Sequence, residues 1–103
     1  MLLRKKLMEF LFKLFNWGFM GNCWVWFHML GGASYANLVQ RAFTKVQTLL
    51  SLLAITIAWE IVEFVSGGGS TGMIAIYGTL ERWAFDSIGD IIGAMCIALM
   101  VIF

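Results

Sequence analysis

The chain has no proline and a single histidine, His28, in 103 residues. Charged residues make up 13% of it, about half the ~25% of an ordinary soluble domain. Each scarcity excludes something. Without proline, interruption of a helix falls to glycine and to short polar side chains. Cys23 and Cys96 sit in apolar runs without metal-type spacing, so they read as small hydrophobes rather than a disulfide or zinc ligands. The seven Lys and Arg nowhere form a patch large enough for nucleic acid. No serine–histidine–acid order surrounds His28. The segment from Gly67 to Gly72 lacks the lysine and the preceding strand of a phosphate loop, so it is a linker.

What is abundant is apolar surface. Apolar residues make up 61% of the chain and the mean hydropathy is +0.87. One soluble domain of this length cannot bury so many large apolar side chains. An all-α integral membrane protein is expected; an unusually apolar soluble bundle, or half of an obligate complex, is the alternative. Arg4-Lys5-Lys6 is similar to the basic start of a signal peptide, but no small-residue cleavage pattern follows, and the segment is read as retained.

Periodicity divides this single membrane domain, 1–103, into an amino-terminal helix and three spans. Residues 2–16 are amphipathic, with Lys5, Glu9 and Lys13 four apart, and are expected to lie on the membrane as an interfacial helix. Transmembrane helices are expected over 17–39, 43–66 and 83–103, with 67–82 a Gly-rich, interfacial loop. Three spans place the amino terminus and this loop on one side. That side carries Arg4, Lys5, Lys6, Lys13 and Arg82, so the positive-inside rule puts the amino terminus in the cytoplasm of a bacterium, bounded by its inner membrane.

Acids inside such helices are costly and therefore informative. Asp86 and Asp90 are one turn apart near the start of the third span, and Gly89 and Gly93 fall on the same stripe, where membrane helices pack closely. Glu60 and Glu63 share a face at the end of the second span. Antiparallel spans put all four acids at one depth, facing Arg82 and His28. Such a cluster cannot stay fully ionised and dry: it binds a cation, holds protons or opens to water. A bland reading remains beside this one, in which Asp86 caps a helix, Glu63 meets water and His28 bonds a carbonyl. If a metal is bound, His28 is the available nitrogen ligand, and the oxygen-rich set favours Mg²⁺, Ca²⁺ or Mn²⁺ over Zn²⁺.

Three short motifs resemble the VanZ-like group of small membrane proteins: His28-Met29-Leu30-Gly31, Glu60 with Glu63, and Asp86 to Ala94. The resemblance implies a membrane acidic site more than a reaction. A second resemblance is to lambda-type phage holins, on Ala42-Phe43-Thr44-Lys45, Glu60 to Phe64, and Asp86-Ser87-Ile88-Gly89. It implies a pore-forming lysis protein. The leading expectation is a small membrane protein whose acidic seam binds a cation or relays protons. A holin-like pore and a structural accessory subunit of a larger complex are the alternatives. An acidic seam with exposed tryptophans also leads to an expected homo-oligomer or membrane complex in a lipid bilayer.

Overall fold

The computed structural model describes residues 1–22 and 24–103; Cys23, and the expectation attached to it, lie outside them. All regular structure among the described residues is helical. In chain order it comprises α1 (Leu2–Lys13), a π-helical segment (Leu14–Met20), α2 (Val25–Val39), α3 (Lys45–Ser66), α4 (Gly69–Tyr77) and α5 (Leu80–Ile102). Two of these, α3 and α5, are long and apolar enough to cross a membrane.

The element boundaries follow from local chemistry. Thr44 is extended and forms a capping box: its hydroxyl accepts the Gln47 N–H, and the Gln47 side chain accepts the Thr44 N–H, each at 3.1 Å. The helix therefore begins at Lys45. Thr79 caps α5 in the same manner by accepting the Arg82 N–H, so α5 starts at Leu80, ahead of the expected Trp83. Between α3 and α4, Gly68 takes φ 98°, a left-handed turn suited to glycine. Residues 67–82, expected as a loop, thus carry the nine-residue α4.

The stretch 17–39, expected as one span, is divided. The π segment closes with the Gly21 N–H bonded to the Asn16 carbonyl, five residues back. Asn22 then leaves the helix and its side-chain oxygen accepts the Trp24 N–H at 3.1 Å, a local bond that competes with helix continuation. What resumes is α2, 15 residues or about 22 Å long.

The central helix is α5. Contacts at Glu60–Ser87 and Phe64–Trp83 run α3 antiparallel to it. The π segment and α2 run parallel to it, through Gly18–Gly89, Val25–Gly93 and Gly32–Ala94. The end of α1 docks across the first turns of α5: Phe10 and Trp17 flank the Phe85 ring and Lys13 pairs with Glu81. At the far end Ala36, Leu52, Ala98 and Ile102 form a small apolar core.

The interior mixes polar with apolar side chains, while large apolar side chains cover much of the exterior. The buried face of α3 is Thr48, Leu52, Thr56 and Glu60, spaced four apart. Leu50, Ile57, Trp59, Ile61 and Val65 of the same helix are exposed.

Where the π segment meets α5 the approach is backbone on backbone, and a Cβ at Gly89 would lie 2.3 Å from the Gly18 carbonyl oxygen. Gly89→Ala is expected to lower stability by about 1–3 kcal/mol through this overlap. Gly31, with nothing within 4 Å of its would-be Cβ, is the control: Gly31→Ala is expected to be neutral or slightly stabilising. Unfolding followed by circular dichroism in detergent measures both; equal stability of the two variants contradicts the packing.

Candidate functional site

The polar groups of three helices meet on the buried face of α5. Asp90, in its third turn, is 3% exposed. Glu60, near the end of antiparallel α3, is 6% exposed. His28 comes from the first turn of α2, and its Nε2 lies 3.4 Å from Asp90 Oδ2. One donor atom from each of these residues lies within 4.8 Å of the others.

The partners of each atom define what the site lacks. Asp90 Oδ1 accepts from Asn22 Nδ2 at 2.7 Å, and Asp90 Oδ2 faces His28. Glu60 Oε2 accepts from the Ser87 hydroxyl at 3.0 Å. Glu60 Oε1 is buried with no hydrogen-bond partner among the described residues. A fully satisfied carboxylate is ordinary in a protein interior; one left half-satisfied beside a second acid and an imidazole is not.

Of the five residues singled out in the sequence, three come together: His28, Glu60 and Asp90. Glu63 and Asp86 are not part of that group. They are half-buried and line the cleft that opens above it. Position along the helices separates them. Asp86 lies one turn before Asp90 on the same face of α5, among buried Phe85, Gly89 and Gly93, and is half-buried where the cleft opens. On α3 Glu63 lies about one turn beyond Glu60, toward the helix end. Arg82 is exposed and makes no ion pair with the acids among the described residues.

Two further residues complete the site, Asn22 and Ser87. Asn22 is 2% exposed, and its amide donates to Asp90, to the Gly18 carbonyl at 3.1 Å and to the Asp86 carbonyl at 3.3 Å. Gly21-Asn22 within an apolar run is the sequence signal that points to it, as a break dipeptide. Ser87 carries no comparable signal; only the rotation of α5 turns it inward.

A cleft of about 900 Å³ separates α2 from α3, with Asp86, Asp90 and Ala94 of α5 as its floor and Met73, Ile76 and Tyr77 of α4 at one end. Burial, with help from Asp86 and Glu63, pushes the Tyr77 phenol up to about 12, so it stays neutral at physiological pH.

No family model, curated protein or solved structure matches the chain.

Asn22→Ala removes the donor to a buried carboxylate and the acceptor of the Trp24 N–H together. It is expected to destabilise the protein by about 1–3 kcal/mol, whereas Asn37→Ala, at an exposed position of the same stretch, is expected to change little. Denaturant unfolding in detergent compares them. An unaltered midpoint for Asn22→Ala removes this side chain from the supports of the site.

Proposed function

We propose that this chain is a small integral membrane protein whose helices bind a divalent cation through His28, Glu60 and Asp90. The observation that carries the reading is Glu60 Oε1, buried, unpartnered and within reach of donors from two other helices. Leaving such an atom unpaired costs about 1–3 kcal/mol or more. A cation shared with Asp90 and His28 removes that penalty and the repulsion between the two acids. One imidazole with two carboxylates is a mixed nitrogen–oxygen set. It suits Mn²⁺ or Zn²⁺ better than Mg²⁺ or Ca²⁺, which favour oxygen ligands alone. The oxygen-rich preference expected from four acids weakens because Glu63 and Asp86 lie outside the group.

The membrane setting is supported by the two long apolar helices and by buried polar side chains beneath an exterior rich in large apolar ones. The third crossing, in this reading, is the broken helix from Leu14 to Val39, which follows α5 in parallel. Irregular backbone at membrane depth is tolerated where protein covers it, and Asn22 bonds back to α5 at the break. Helix α1, with Arg4, Lys5 and Lys6 and no buried residue, lies at the interface, on the cytoplasmic side by its positive charge. The three motifs that resemble the VanZ-like group fall on α2, α3 and α5, the helices that meet at this site. Gly89 packs on Gly18 of the same chain, so that face calls for no second copy.

Calorimetric titration of the purified chain in detergent is expected to show one Mn²⁺ or Zn²⁺ per chain, with weaker Mg²⁺ and Ca²⁺. Asp90→Asn and Glu60→Gln are expected to abolish binding, and Glu63→Gln to leave it. Chelation is expected to lower the unfolding temperature. If none of the four ions gives heat or stabilisation, the two acids share a proton instead and the cation reading falls.

Topology has its own check. Cysteines placed at Glu9 and Asn37, both exposed, are expected to label from opposite faces of the membrane. Labelling of both from one face removes the third crossing.

A further inference from the structure

The cleft between α2 and α3 is far larger than a metal ion requires. At about 900 Å³ it lies near the upper end of ordinary small-ligand pockets, roughly 300–1,000 Å³. Its walls are aromatic: Trp24 and Phe27 from α2, with ring centroids 5.2 Å apart, Trp59 from α3 and Tyr77 from α4. Its charged side chains are of one sign. Glu63, Asp86 and Asp90 line it, and among the described residues no Lys or Arg does. The single base on the wall, His28, is turned to Asp90. Aromatic faces carry negative potential, so rings and carboxylates select the same ligand, one with a positive charge and apolar bulk.

We propose that this cleft binds a lipophilic organic cation, a quaternary ammonium or phosphonium with bulky apolar substituents, its charge against Asp86 and Glu63 and its substituents against Trp24, Phe27 and Trp59. Trp24, Phe27, Ile55, Trp59 and Ile76 are exposed at the rim, so the ligand enters sideways, between α2 and α3. An aminophospholipid is the poorer fit because no Lys or Arg on the wall pairs with its phosphate. An anionic amphiphile meets three acids. This site extends beyond the divalent-cation reading and separates from it by substitution: Glu60 is absent from the cleft lining, and Glu63 and Asp86 are absent from the metal group.

Two ions of one shape and opposite charge, tetraphenylphosphonium and tetraphenylborate, test the proposal by equilibrium dialysis against the full chain in a non-ionic detergent. Tetraphenylphosphonium is expected to bind saturably, one per chain, and to quench tryptophan fluorescence. Tetraphenylborate is expected to bind at least about tenfold more weakly. Glu63→Gln combined with Asp86→Asn is expected to weaken phosphonium binding about tenfold, and Trp59→Leu about 2- to 30-fold. Glu60→Gln is expected to abolish the Mn²⁺ heat and leave phosphonium binding intact, so loss of the metal site is told apart from loss of this one. Equal binding of the two ions to the unaltered chain overturns the proposal, and needs no variant to fold. Phosphonium binding unchanged by the double acid substitution overturns it as well.

Discussion

A carboxylate buried as deeply as Asp90 has to be matched on every side, and the placement of the helices follows from how this is done. Its first oxygen takes the Asn22 amide, and its second faces His28. The amide reaches Asp90 only because the chain leaves helical geometry at Gly21 and Asn22. The same side chain accepts the Trp24 N–H just ahead of α2, whose first turn carries His28 against Asp90. One residue thus ties the break between two helices to a third. Continuing the helix through Gly21 and Asn22 withdraws the donor from Asp90, and a buried charge without partners is among the least tolerable groups in a protein interior.

Much of the plan was legible in the residues. The length and apolarity of α3 and α5 were plain, and so was the depth shared by Glu60 and Asp90, which follows from two antiparallel helices and a short connection. Legibility stopped at which acids meet. Periodicity groups Asp86 with Asp90, Gly89 and Gly93 on one face, and that face packs inward, but Asp86 stands one turn outside the group formed by His28, Glu60 and Asp90. The break at Gly21-Asn22 was hidden by the absence of Asp, Glu, Lys and Arg from 17–39, which makes this stretch read as one uniform span. The π segment had no signal at all; its Gly18 packs against Gly89, a residue 71 positions later.

The polar interior is tolerable because its hydroxyls are spent locally. Thr48 bonds to the Thr44 carbonyl, Ser51 to Thr48 and Thr56 to Leu53, each within its own helix. Among the described residues only Ser87 and Tyr35 carry a hydroxyl bond from one helix to another, Ser87 to Glu60 and Tyr35 to Ser51 at 2.7 Å. A small apolar cluster closes the opposite end, around Ala36, Leu52 and Ala98. The first turns of α5 are thus held by hydrogen bonds together with ring and glycine contacts, and its end by apolar packing. The cleft opens between α2 and α3 because both spend their contact surface on α5 rather than on each other.

The pairing of the first third of the chain with the last third sets an order of events during synthesis. Asn22 emerges 68 residues before Asp90, and at about 5–20 residues per second the ribosome takes several seconds to deliver its partner. Over that interval the break before α2 has nothing to lean on, while the nearer pair, α3 and α5, still lacks its second member. The π segment and α2 are therefore made first yet cannot take their final course until α5 has been made.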